Sequence, residues 1–292
     1  MATLWSPICD QLGIEVPIFG FAHDIATVAA ISNAGGYGVY GATRRFPDEI
    51  TQELAQIKAL VGARPFGVDL VLPPGMPEHD SREAIEIDIP DEHKAFVQSI
   101  IEQYNIPPAT QPGMRTRFIR SAEIEAAQIR SVLASPVNMF ACGIGAPAAV
   151  IEAAKAQGMT TLALIGSPHH VARTIAAGVD IIVAQGYDAG AHTGTIGTYS
   201  LVPQIVEAAG DVPVLVAGGV ATGKHIAAAL AMGAQGVWMG TAWLFSEEHQ
   251  GHMHPINTQK LIEAGSGDTV ITRSESGKTF RQVRSGWSQA WG

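Results

Sequence analysis

Cysteine is nearly absent. The 292 residues hold two, Cys9 and Cys142, which cannot make a disulfide framework, so a reduced, cytoplasmic setting is expected. Basic residues are also few: 18 Lys and Arg stand against 27 Asp and Glu, for a net charge of −9. That balance argues against a nucleic-acid partner, which needs clustered bases. No apolar run approaches the roughly 18 residues of a membrane span. The opening MATLWSPICDQLG lacks the basic-then-apolar order of a secretory signal, so no membrane partner is expected. Charged residues make up only 15% of the chain and apolar residues 47%. The first figure argues against disorder, and the second allows a large core. The length suits one large α/β domain or two small ones.

Short β-branched runs alternate with Ala-rich helical patterns. Eight runs read as strands: VPIFGF (16–21), GYGVYG (36–41), FGVDLVL (66–72), VNMFAC (137–142), TTLALIG (160–166), DIIVAQG (180–186), VPVLVAGG (212–219) and GVWMGT (236–241). Helical stretches such as ATVAAISNAG, APAAVIEAAKAQG and GKHIAAALAMG lie between them and stop at Gly. Near-continuous apolar strands in this alternation predict a parallel sheet covered on both faces. Eight such units favour a (β/α)8 TIM barrel. A doubly wound sheet is the rival, but FGFAHD, not GxGxxG, follows the first strand.

The rhythm breaks once. Residues 73–136 form an insertion between the third and fourth strands, with helices expected near 91–104 and 121–134. Such an insertion is either a lid over the C-terminal mouth or an external elaboration. The chain reads as one domain, 1–292, with a polar tail carrying four bases from Arg273 to Arg284.

Active sites of barrels gather at the C-terminal ends of the strands. Those ends carry Ala22-His23-Asp24, Asp69, Gly143, Gly166-Ser167, Gln185 to Gly194, Ala217-Gly218-Gly219 and Met239-Gly240-Thr241. A Gly-Gly pair on the seventh strand and a Gly-Thr pair on the eighth, each at a strand end, suit an anion, because backbone N–H groups approach it unobstructed. The phosphate would belong to a substrate or to a cofactor; the plainer reading is tight turns. In QGYDAGAHTG, His192 is the one side chain at the loop apex that titrates near neutrality. It suits a general acid or base, against the alternative of a surface histidine with a local bond. His23, also at a strand end, is a second candidate for that role, against a packing contact or the edge of a ring ligand; Asp69 suits a ring N–H, against a solvated or helix-capping acid. Asp188 reads as a loop cap, and His169 and His170 as solvent-facing. His249, His252 and His254 read as a polar loop, since their spacing is irregular and HExxH is absent; no metal is expected. Both cysteines have apolar neighbours and neither reads as an activated thiolate.

Together these segments resemble the nitronate monooxygenases, once called 2-nitropropane dioxygenases. The matching stretches are PIFGF…AAISNAGGYGVYGA, RPFGVDL, QGYDAGAHTG, VPVLVAGGVATG and GAQGVWMGTAWL, in family order from about Val16 to Ser246. The resemblance implies a TIM barrel with bound FMN, its phosphate on Gly218, Gly219, Gly240 and Thr241. It places the ring near Ala22, Asp69, Gln185 and Gly190, with His23 and Ala217 at the same strand ends. It puts His192 in the position of the catalytic base. It further implies a nitronate or nitroalkane substrate and dioxygen, with a carbonyl compound and nitrite as products. Many members have Asn where Asp69 stands, Met in the first-strand loop, Lys after the fifth strand and AGGH where this chain has AGAH. They also extend past the position of Gly292, which implies a further C-terminal helical region.

Three other readings compete. One is an NAD(P)H-dependent flavin reductase acting on quinones or enoyl thioesters. Another is a non-redox phosphate-binding barrel enzyme, which needs a Schiff-base Lys or paired carboxylates at the mouth; Lys224 lies beyond the glycine pair, at a helix start. The third is a non-catalytic flavin or phosphate carrier. Assembly of identical chains is left open by the sequence.

Overall fold

The computed structural model describes residues 4–78, 81, 86–87, 89–110, 117–249 and 253–291. The strands in chain order are β1 (Ile18–Ala22), β2 (Tyr37–Gly41), β3 (Phe66–Val71), β4 (Met139–Gly143), β5 (Thr160–Ile165), β6 (Ile181–Gln185), β7 (Ala191–His192), β8 (Val214–Ala217), β9 (Gly236–Met239), β10 (Thr269–Thr272) and β11 (Phe280–Val283). Strands β1 to β6, β8 and β9 close a parallel barrel in chain order. β9 returns to β1 with Phe19 opposite Trp238. All eight expected strands are present, which makes the fold a TIM barrel.

Side-chain parity organises the layers. Met139 and Ala141, Ile181 and Val183, and Leu215 and Ala217 fill the barrel. Their neighbours Phe140 and Cys142, Ile182 and Ala184, and Val214 and Val216 face the helices. Successive residues of a strand point to opposite faces, and both faces here are buried. The uninterrupted apolar runs follow from that. In β3, Val68 and Leu70 pack outward, so Asp69 turns into the barrel at its upper end. Gln185 follows Val183 inward by the same rule.

The outer layer is built from α2 (Ile25–Asn33), α3 (Pro47–Val61), α5 (Ala122–Leu133), α6 (Ala148–Ala156), α7 (Val171–Ala176), α8 (Thr198–Ala209) and α9 (Gly223–Ala231). In α3 the buried residues are Ile50, Leu54, Ile57 and Val61, one stripe at helical spacing. Each large member of that stripe contributes roughly 1.5–3 kcal/mol relative to exposure. α1 (Pro7–Leu12) plugs the opposite end, where Ile8 and Cys9 join the barrel interior.

Two helices form in the insertion: α4 (Asp91–Gln103) and α5. α5 takes the place of the third outer helix, and its buried Gln128 donates from Nε2 to the carbonyls of Thr43 (3.1 Å) and Arg45 (2.7 Å). α4 leans instead on α11 (Gly286–Ala290) and its C-cap: Phe96 meets the ring of Trp291 edge-on at 5.1 Å. Among the described residues of the insertion, those that line the cavity at the mouth are Pro73 to Met76, Ala122 and Glu125. Among the described residues, the body of the insertion is an elaboration beside the mouth. Parts of it, residues 79–80, 82–85, 88 and 111–116, lie outside the described residues.

The tail departs from the sequence reading. Beyond α10 (Pro255–Glu263), β10 and β11 form an antiparallel hairpin that extends to β7, with Phe280 opposite His192 and Arg281 opposite Ala191. The last part of the chain thus folds back across the barrel mouth.

Candidate active site

Strand tips, the loop after β6 and the C-terminal hairpin enclose a cavity of about 2530 Å³. The loop after β6 is tied down at several points. Gly186 donates its N–H to Ala217 O at 3.0 Å, and Tyr187 to Ile196 O at 2.9 Å. Asp188 Oδ2 accepts from the N–H of Thr198 at 2.8 Å, which fixes the start of α8 and confirms its reading as a cap. Gln185 Nε2 donates to the carbonyl of His192 at 2.8 Å.

His192 therefore sits on a short strand braced from both sides. Its Nε2 lies 2.6 Å from Ser276 Oγ, in the turn between β10 and β11. The ring of Phe280 meets the imidazole edge-on at 5.1 Å and 87°. Thr193 N–H donates to Thr279 O at 3.1 Å, and Arg281 Nε donates to Tyr187 O at 2.8 Å. Ala191 takes a left-handed backbone, φ +68°, a conformation that costs an alanine about 1–2 kcal/mol. The imidazole is half-buried and lines the cavity.

The two glycine-bearing tips differ in what demands the glycine. Gly218 has φ +108°, and a Cβ there would stand 2.6 Å from Thr198 Oγ1, so the loop's own packing excludes a side chain. At Gly240 a Cβ would meet only Phe21, at 3.9 Å, so nothing in the fold crowds that position. Gly190, in the His192 loop, faces Thr241: a Cβ would stand 2.9 Å from the threonine hydroxyl. The N–H groups of Gly219, Val220 and Thr241 donate to no atom of the described residues. Three unspent donors on two adjacent strand tips, beside the start of α9, make a cradle of the kind that takes a phosphate.

Asp69 is buried and lines the cavity floor. Burial pushes its carboxyl up to about 7, with the Arg120 guanidinium pulling the other way. Arg120 comes from the insertion, donates to Val71 O and pairs with Glu125 at 3.3 Å. His23 packs over the first two strands, with Nδ1 at 2.9 Å from Gly41 O and its ring edge-on to Phe21. Ala22 is buried in the outer layer and reaches the cavity only at its edge. All eleven sequence-nominated residues, Ala22, His23, Asp69, Gln185, Gly190, His192, Ala217, Gly218, Gly219, Gly240 and Thr241, line this one cavity.

The model of the nitronate monooxygenase family matches residues 8–291.

The chain belongs to the nitronate monooxygenase family.

It is accordingly an oxidoreductase. Rv1533 of Mycobacterium tuberculosis, which carries the provisional name of a monooxygenase, is 40% identical, over 97% of this chain and 77% of its own. A Bacillus subtilis protein provisionally named nitronate monooxygenase is 30% identical, over 94% and 77%. Among solved structures, the nitroalkane oxidase of Streptomyces ansochromogenes is similar at 28% identity and a TM-score of 0.79, covering 97% of this chain and 80% of that one. FabK from Thermotoga maritima is similar at 25% identity and a TM-score of 0.75, covering 98% and 77%.

Several local expectations for this nitronate monooxygenase family member need correcting. His170 is half-buried against the cavity, not turned to solvent; burial, with Arg173 beside it, holds its imidazole below the usual range. His249 is no loop residue: it is buried, with Nδ1 2.7 Å from Asp24 Oδ2. His254 caps α10 by accepting from Ile256 N–H at 3.3 Å, and His252 lies outside the described residues. No group of three metal-ligating side chains occurs among the described residues, and no helix among them is long and apolar enough to cross a membrane. Cys142 is buried facing the helices, and burial pushes its thiol up. The mouth does carry lysines, Lys260 and Lys278, supplied by the tail. The signal for Lys278 was the run of tail bases, whose destination the sequence hid; Lys260, on α10, lies outside that run.

Proposed function

We propose that this enzyme oxidises alkyl nitronates with dioxygen, using bound FMN, to a carbonyl compound and nitrite. The observation that supports it is the placement of His192 across one cavity from the unspent amides of Gly219, Val220 and Thr241. FMN would supply one-electron oxidation of the nitronate carbanion and reduction of dioxygen. Its phosphate suits the cradle at Gly218, Gly219, Gly240 and Thr241. Its ring suits the floor formed by Asp69, Gln185, Gly190 and the edges of Ala22 and His23, with Ala217 beneath.

The protein's own groups divide the remaining work. His192 takes the proton from the α-carbon of a neutral nitroalkane, or holds a nitronate's negative charge when protonated. Gln185 and Ser276 fix where that imidazole stands. The hairpin and the His192 loop shield the pocket from bulk water. Asp69, with its raised carboxyl, is part-protonated near neutrality, so it can donate a hydrogen bond from the floor where an ionised acid cannot.

The test is the purified protein's absorption and turnover. Flavin bands at about 370 and 450 nm, with nitrite released from a nitronate and lost in His192→Ala, are the expected outcome. A colourless protein that takes up no FMN sinks the reading. The basic rim of the mouth favours a second reading, an NAD(P)H-dependent reductase. Anaerobic bleaching of the flavin by NADH, but not by a nitronate, would replace the first reading with the second.

A further inference from the structure

The cavity has two unlike sides. Strands β8 and β9 are seventh and eighth in the order of the closed barrel, so β3 and β4, third and fourth, stand opposite them. The glycine cradle thus faces the tips of β3 and β4 across the mouth. Those tips carry VLPPGM (71–76) and GIGAPA (143–148), and every residue of both runs lines the cavity. Neither run holds a charged, hydroxyl or amide side chain. Glu125 lines the cavity next to them, but it is paired with Arg120 at 3.3 Å, and Arg120 donates in turn to Val71 O. Ser167 and His170 follow the next strand, β5.

The two tips are locked together. Leu72 N–H donates to Gly143 O at 2.9 Å, and a Cβ on Gly145 would collide with Leu72 O. Packing between the tips therefore fixes Gly145. Ile144, between those two glycines, is held differently. It takes a left-handed backbone, φ +62°, which a β-branched residue adopts only at a cost. Its side chain is 37% exposed and joins none of the buried clusters. Pro74 and Pro147 are exposed on the same tips, and Met76 is half-buried. A strained residue that turns a large apolar side chain to an open cavity gains nothing from the core, and points instead to a ligand.

We propose that this wall seats a hydrocarbon chain, so that the substrate is a nitronate carried on an extended, uncharged alkyl group, with Ile144 and Met76 setting the preference for chain length. An alkyl chain gains by leaving water against such a wall. A second carboxylate would lose hydration there and find no side-chain donor on either run. The cavity of about 2530 Å³ leaves room for a chain beside a flavin, since a drug-sized ligand fills only about 300–1,000 Å³. The inference rests on the proposed flavin-dependent reading, in which the cradle holds the cofactor's phosphate and His192 meets the nitronate.

The test is calorimetric titration of the purified protein, carrying the flavin it binds, with butanoate, hexanoate and octanoate, and with succinate as the charged comparison. A carboxylate is planar and anionic like a nitronate and is not oxidised, so it reads binding without turnover. Expected is an affinity that rises with length, by up to about fourfold per methylene, with succinate far weaker than octanoate. Asparagine tolerates the left-handed backbone, so Ile144→Asn should fold; it should weaken octanoate about tenfold and butanoate less. Met76→Gln, on the other tip, should act in the same direction. In turnover, the nitronate of nitrohexane should show a lower KM than that of nitroethane. Affinities that do not rise with length, succinate binding as tightly as octanoate, a rise that survives both substitutions, or loss of the parent's flavin from both variants overturns the wall's role. Chain-dependent binding without nitronate turnover, or in a protein that takes up no flavin, tells against the proposed oxidation instead, so the two failures are separable.

Discussion

Ser276 Oγ stands 2.6 Å from His192 Nε2, although the two residues are 84 positions apart. The hydroxyl fixes the direction of an imidazole that otherwise sits on a two-residue strand. For the proposed nitronate oxidation, Ser276→Ala is expected to lower kcat by about tenfold, with KM and the content of the proposed flavin little changed, because misorientation costs rate more than binding. Ser276→Thr should keep most of the rate. Equal losses in both variants would show that bulk, not the hydrogen bond, matters.

Asp69 makes a distinct stability prediction. Its carboxyl titrates near 3.8 when unfolded and near about 7 in the fold. Between those values the native state holds a proton that the unfolded chain has lost. Stability therefore falls as pH rises through that window and stays low above it. The shift corresponds to at most on the order of 4 kcal/mol. Asp69→Asn should remove the slope and raise the melting temperature at pH 8 relative to the parent. Parallel pH profiles in thermal melts would refute this.

Ala191 sits at φ +68°. A β-branched side chain is worse there than alanine, so Ala191→Val should cost about 2 kcal/mol and disturb His192 next to it. Ala191→Gly should be near neutral, since relief of strain offsets the greater freedom of the unfolded glycine. Chemical denaturation of the two variants checks both signs.

The Asp24–His249 pair staples the segment after β9 to α2. Burial alone would push the Asp24 carboxyl up, but hydrogen bonds from Thr27 and His249 leave it below the usual range. Its contribution is present above the usual carboxylate pKa and is lost as pH falls through the lowered value. His249→Ala should cost about 2–3 kcal/mol by leaving a buried acid with half its partners. The flavin spectrum should be unaltered. A melting temperature within a degree of the parent would contradict the staple.

The barrel was legible because its strands are buried on both faces and therefore read as apolar runs of strand length. Parity then carries Asp69 and Gln185 inward, and the chain order of strand tips brings Gly218, Gly219, Gly240 and Thr241 together. The hairpin was not legible. TVIT and FRQV are half-buried or exposed along their length, so neither shows a continuous apolar run. FRQV pairs on its other edge with a two-residue strand about 90 positions earlier, a pairing that no local pattern encodes. His249 was missed for the same reason: its burial depends on Asp24, 225 residues away.

Because β7, among the described residues, pairs with β11 alone, the order of synthesis matters. A ribosome delivers all eight barrel strands before it delivers Phe280. A nascent chain can thus complete its scaffold while His192 still lacks its brace, and the mouth would be finished last, by the arrival of a short polar ribbon.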